Sequence, residues 1–227
     1  MPQRNRHLQP HATAAAIDHE TATHNLFTRN QQMNSNARIK PRTLRYAPGM
    51  TQLLDEAQSR HFTDAEYARY LEIAPGNEAR VTAARDVMGR EELVVKGTVI
   101  EIMNLYPYRE FHLRSPEKCI RDVKFISIYA THTMLIDDPQ WFKDKLLIWF
   151  RTILHAFQYP AQGEGKEVRN QHPEVSQEAL NYKPGVQSIY DCYTRLRLKY
   201  RQTLQPETFE LMDAPLQLAV DVLSETH

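Results

Sequence analysis

An all-α domain is the fold class this sequence predicts. Three observations carry it. Apolar residues return at helical spacing through several long stretches, no stretch alternates in the manner of a strand, and Thr, Asp or Pro stands at the head of successive apolar runs. At 227 residues the chain is long enough for one full-sized core with an appendage.

The elements follow in order. Thr51 is placed to cap a short helix running to Ser59, with Leu53, Leu54 and Ala57 on one side. Thr63-Asp64-Ala65-Glu66 has the pattern of a capping box for a second helix carrying Tyr67, Tyr70 and Leu71, ended by Pro75-Gly76. Together residues 50–72 read as a helical hairpin whose apolar edge is too large for two short helices to bury alone, which makes it the expected subunit contact. A helical core over 78–225 comes next. Its first helix spans Glu78 to Tyr106, with a stripe through Ala84, Met88, Val95, Val99, Ile102 and Tyr106, and Gly89 and Gly97 as points of close approach. Pro107 to Pro116 forms a polar link. The next helix runs from Pro116 to Ile136 through Cys119, Phe125, Ile128, Tyr129 and Leu135. It gives way to Asp138 as a cap and Pro139 as a first helical residue. Phe142, Leu146, Trp149, Phe150, Ile153 and Phe157 mark the core face of the helix that follows. After the polar stretch 158–183, helices begin at Pro184 and Pro206. The first carries Val186, Ile189, Tyr190, Tyr193, Leu196 and Tyr200. The second carries Phe209, Leu216, Ala219 and Leu223, with a kink expected at Pro215.

Charge and composition narrow the function. The formal charge is zero, but residues 1–46 hold seven Arg or Lys against two acids, a net of plus five, and the remainder carries minus five. This polar segment is poor in large apolar residues and reads as a disordered basic tail, set off from a domain over 47–227. The charge density is below that of a nucleic-acid arm. Arg195, Arg197, Lys199 and Arg201, near Tyr193 and Tyr200, read as a solvated helix face before they read as an RNA surface. Two cysteines make no disulfide framework and fit a reducing compartment. Neither a secretory signal nor an apolar run of about 18 residues is present, so a cytoplasmic location is expected. No phosphate-binding glycine loop and no zinc-hydrolase spacing occurs, and the adjacent acids Glu91-Glu92 and Asp137-Asp138 read as surface or helix-end pairs. The chain is not expected to be an enzyme. His132 and His155 lack a diagnostic haem pattern, and His112 with Cys119 is too loose a pair for a metal.

The most informative segment is Lys118-Cys119-Ile120-Arg121-Asp122. Cysteine is usually buried as a small hydrophobe, whereas Cys119 stands among charges at the start of a helix, where the helix terminus and nearby cations favour a reactive thiolate. Asp122, three residues on, shares its face, and Arg121 projects to the side. A thiol, a carboxylate and a guanidinium in that arrangement suit one elongated anionic ligand. A surface cysteine beside a capping network is the plainer reading of the same residues. Cys192, in Tyr190-Asp191-Cys192-Tyr193, reads as a packed structural cysteine.

Taken in order, these segments resemble the phycobiliprotein family, the allophycocyanin- and phycocyanin-like bilin-bearing subunits of phycobilisomes. The residues that carry the resemblance are Asp55 to Tyr70; Gly76, Arg80 and Ala84; Cys119-Ile120-Arg121-Asp122 followed by Thr131 and Asp138; Arg151, Ala156 and Pro160; and the segment from Lys183 through Tyr193 onward. The resemblance covers residues 50 to 225. It implies a globin-like fold with an N-terminal hairpin used in assembly, and a linear tetrapyrrole, phycocyanobilin-like, joined by a thioether to Cys119. By position, Arg121 would pair with a propionate, Asp122 would hydrogen-bond the central pyrrole nitrogens, and Lys118 would add positive charge. The implied role is photosynthetic light harvesting or light sensing with other phycobilisome components, at the cytoplasmic side of the thylakoid membrane. The pattern also departs from the family. Ile126 replaces the second ring of an aromatic pair, Ile128 aligns with an arginine that contacts the hairpin, and His132 and Leu154 stand where tyrosines are usual. The link before Cys119 is short, and the basic tail and the 158–183 insertion are additions. These departures keep a second reading open: a pigment-free interaction protein on the same scaffold, serving assembly, degradation or regulation of the antenna.

Overall fold

The computed structural model describes residues 41–106, 115–158 and 185–225. Residues 1–40, the polar link at 107–114 and the insertion at 159–184 lie outside the described residues, and His112 and the short connection before Cys119 fall with them.

The chain begins with a 3-10 helix, Pro41–Tyr46, followed by α1 (Met50–Glu56), α2 (Asp64–Ile73), α3 (Glu78–Leu105), α4 (Ser115–Ile136) and the single turn α5 (Pro139–Phe142). A π-helical turn, Lys143–Leu147, joins α5 to α6 (Ile148–Gln158), and α7 (Gly185–Thr203) and α8 (Pro206–Ser224) complete the order. No strand occurs among the described residues. Helices α3, α4, α7 and α8 pack against one another around one core, with α6 laid against α7 and α8.

Local signals account for most of the helix ends. Thr63 and Glu66 form the predicted reciprocal capping box of α2. Asp138 Oδ1 accepts from the Trp141 backbone N–H at 3.1 Å, with Pro139 at the first helical position. Between them, Asp137 takes a left-handed backbone (φ 49°) that turns the chain out of α4. The cap of α1 differs from expectation. Gly49, at φ 83°, precedes the helix, and Thr51 lies inside it with Oγ1 donating to the Arg45 carbonyl at 2.9 Å. A left-handed entry excludes most side chains and suits glycine. α8 passes through Pro215 without interruption, with that residue buried.

Residues 41–46, assigned above to the tail, form the 3-10 helix, with Leu44 buried in the core and Arg45 Nη1 3.6 Å from Asp138 Oδ2. The apolar edge of the hairpin packs into the core of this chain. Leu53, Leu54, Ala57, Phe62, Tyr67 and Tyr70 are each at most 3 % exposed within this one chain. The hairpin is tied down by polar bonds as well. The Tyr70 hydroxyl donates to the Leu135 carbonyl at 2.6 Å, and His61 Nε2 lies 2.7 Å from Glu91 Oε1. Next to that anchor, Arg80 donates to the Met134 carbonyl and pairs with Asp137 at 3.6 Å. Replacing Tyr70 by Phe keeps the ring and removes the bond to the end of α4. A loss of about 1–2 kcal/mol is expected, read as a lower urea midpoint at unchanged slope.

Three core positions also differ. The stripe of α3 passes through Val87 and Glu91 rather than Met88, which is largely exposed. Glu91, expected at the surface, is a buried carboxylate held by His61 and, at 3.5 Å, by Lys124 Nζ. Trp149, expected in the core, is 61 % exposed while Phe150 is 3 % exposed. The cause is the π-helical turn between Phe142 and Phe150. One extra residue in a turn delays the helical phase, so the position facing the core falls eight residues after Phe142 instead of seven. Of the two glycines of α3, only Gly97 marks a close approach: a Cβ there would lie 3.4 Å from Lys199 Cε, whereas Gly89 faces open space.

Candidate functional site

The residues singled out by sequence stand together near the start of α4. Cys119 is half-buried and packs against the edge of the core, while Lys118 and Arg121 are exposed. Asp122 occupies the next turn on the side of Cys119, with 16 % of its side chain exposed. Arg121 folds back onto it, with Nε 2.8 Å and Nη2 2.6 Å from Asp122 Oδ1. Burial pushes the Asp122 carboxyl above the usual carboxylate range, and the Arg121 hydrogen bond and the nearby Lys118 charge only partly offset that. The site therefore holds a desolvated acid with one flexible, exposed cationic partner.

The structure adds a residue that sequence reasoning kept apart. Cys192 of α7 is buried, as expected. The influence of Cys119 and the burial of the side chain hold the Cys192 thiol well above its ordinary value. Asp122 and Arg195 are close enough to act on it electrostatically. Arg195 Nη1 in turn donates to Glu101 Oε2 at 2.9 Å, and Lys199 Nζ lies 2.5 Å from Glu101 Oε1. Chiefly through the Lys199 bond, the Glu101 carboxyl is held below its usual range. No local pattern pairs residues on two helices so far apart in sequence.

The remaining sequence candidates disperse. Arg197 is bonded to Asp213 at 2.6 Å, so three cations of the α7 basic stretch, with Arg195 and Lys199, face acids of α3 and α8 instead of forming a nucleic-acid surface. His155 Nε2 lies 3.0 Å from the Leu223 carbonyl. His132 is fully buried beside Phe62, Tyr129 and Trp141. The two histidines thus occupy different surroundings. Ile126 and Ile128 are core residues. Among the described residues no group of three or more His, Cys, Asp or Glu could hold a metal ion, and no helix is long and apolar enough to cross a membrane.

A family model for phycobilisome proteins matches residues 54–180, more than half of the chain. The chain belongs to the phycobilisome protein family. The matched segment of this phycobilisome protein runs from α1 past the end of α6 and contains the whole Lys118–Asp122 cluster, while Cys192, α7 and α8 follow it. The all-helical architecture is consistent with the globin-like fold of that family. No curated protein and no solved structure matches the chain.

Proposed function

We propose that this phycobilisome protein carries a linear tetrapyrrole attached through the Cys119 thiol and works in light harvesting or light sensing with other phycobilisome subunits. One observation carries the reading. A reachable thiol, a desolvated carboxylate and an exposed guanidinium lie within four residues on one helix of the family-matched segment. The donor set fits such a pigment. Cys119 offers the thioether sulfur. Asp122 offers an incompletely balanced carboxylate to pyrrole N–H groups. Arg121 exchanges its bond to Asp122 for a propionate, and Lys118 adds charge beside it. The bound tetrapyrrole would supply the visible absorption, and the chain's part is to hold and polarise it. Association with the cytoplasmic face of the thylakoid would then come through partners.

A second reading, a pigment-free scaffold for assembly, degradation or regulation of the antenna, is favoured by a specific observation: Arg121 is already engaged with Asp122 Oδ1. The two readings separate by visible absorbance and zinc-enhanced fluorescence of the denatured protein purified from a bilin-producing host. Covalent colour on the Cys119 peptide is expected. Cys119→Ser should abolish it at unchanged helicity, Cys192→Ser should keep it, and Asp122→Asn should shift the visible band at equal occupancy. A colourless wild-type chain would remove the pigment reading and leave the scaffold one.

A further inference from the structure

The hairpin packs its apolar edge into its own core, and an apolar face remains exposed on α6. That helix lies against α7 and α8 with Phe150 buried, and it turns Ile148, Trp149, Thr152 and Ala156 outward. Trp149, Thr152 and Ala156 follow one another at intervals of three and four residues, so they form one stripe along the helix. The stripe is uneven. Its bulk, Ile148 and Trp149, stands at the N-terminal end, and its small residues stand at the C-terminal end. The π-helical turn before α6 is what moves Trp149 out of the core register, and such turns are frequent at functional sites. Tryptophan is also among the residue types most enriched as interface anchors. Charged side chains beside the stripe are matched within the chain. Lys145 Nζ lies 3.1 Å from Asp55 Oδ1, Arg151 Nη1 2.6 Å from Glu225 Oε2, and Arg45 Nη1 3.8 Å from Asp144 Oδ2. A face balanced in this way selects no charged partner and does not repel a copy of itself.

We propose that the outer face of α6 is a contact between two copies of this chain, with the two α6 helices antiparallel about a two-fold axis beside Thr152. A two-fold axis brings the same face of both copies together, so the face must complement itself. Antiparallel pairing achieves this by shape. With the axis between positions 152 and 153, Trp149 of each copy falls opposite Ala156 of the other, a large side chain over a small one. Parallel pairing would set Trp149 against Trp149 and leave a gap where Ala156 meets Ala156. Balanced charges point the same way, because the partner this face suits is apolar and neutral, and a second α6 is both. One helix face supplies less than the roughly 800 Å² per partner of a standard interface, so the dimer belongs to the weak, concentration-dependent class. The contact does not depend on whether Cys119 carries a pigment.

The test uses the full chain, followed by sedimentation and light scattering over a wide range of concentration. A reversible rise to twice the mass of one chain is expected. Trp149→Glu and Ala156→Glu each place an unpaired acid in the contact, and each should raise the dissociation constant at least tenfold. Both positions are exposed in the single chain, so both variants should keep the helicity and urea midpoint of the wild type. The chain has two tryptophans and Trp141 is buried, so acrylamide quenching of the fluorescence reports on Trp149. Its accessibility should fall as the dimer forms. A chain that stays monomeric at every concentration, or a dimer that neither substitution weakens, would overturn the proposal. A dimer that leaves Trp149 as quenchable as in the monomer would overturn it too, by placing the contact on another face. So would a Trp149 already shielded in the dilute monomer, which would place its cover within the chain itself.

Discussion

A chain beginning at residue 73 is expected to lose its cooperative fold. Removing the hairpin takes Leu53, Leu54, Phe62, Tyr67 and Tyr70 out of the interior. Each large apolar side chain contributes about 1.5–3 kcal/mol on burial, so the set is comparable with the whole net stability of a typical domain, about 5–15 kcal/mol. The residues removed also carried an ordering cost, which returns part of this. What it does not return is the damage left behind. The faces of α3 and α4 that met the hairpin become wet, the Leu135 carbonyl loses the Tyr70 hydroxyl, and Glu91 loses His61 from a buried pair. Thermal unfolding followed by circular dichroism, with a chain beginning at Lys40 as reference, gives the measurement. A broad, non-cooperative melt is the expected result. A truncated chain with the midpoint of the reference would show the hairpin to be an appendage. A milder variant, Leu53→Ala, should stay folded and lose about 2–5 kcal/mol, because a fully buried leucine leaves a cavity behind.

Stability should also fall as pH drops below 6.5, and His132 should be a main cause. Its ring is fully buried, and that burial, reinforced by nearby His61, pushes its pKa down from 6.5 to about 3. Because the folded value lies below the unfolded one, the unfolded chain binds the proton first. The contribution is therefore complete above pH 6.5 and is lost progressively as pH falls from there towards about 3. The loss is about 1.4 kcal/mol per pH unit, or roughly 2 kcal/mol by about pH 5. His132→Phe keeps a ring beside Phe62 and Trp141 and removes the titrating group. Urea unfolding of both chains between about pH 7 and 5 should show a steeper decline for the wild type. Parallel pH profiles would assign the acid sensitivity elsewhere.

His132 illustrates how far the sequence reaches. Its place on the helix after Cys119 was legible, and so was its departure from the tyrosine usual in the family. Its burial against Phe62 was not, because the hairpin's apolar edge looks the same whether it meets its own core or another subunit. Glu91 is a similar case. An adjacent acid pair reads as a surface feature until His61, thirty residues earlier, is brought within hydrogen-bond distance. Of the adjacent rings Trp149 and Phe150, both read as core, only Phe150 is buried, because a π-helical turn breaks the constant period on which a helical stripe is read.

The helices, the capping box at Thr63, the Asp138–Pro139 start and the Lys118–Asp122 cluster were determined by the sequence itself. They depend on hydrogen bonds and side-chain spacings confined to a few neighbouring residues, so a local pattern is enough to specify them. Only the tertiary structure decided which faces were covered: the hairpin by its own core and the α7 cations by Glu101 and Asp213. Those outcomes depend on which helices pair and in what register. That choice is made by the summed burial of the whole core, and no stretch of a few residues contains it.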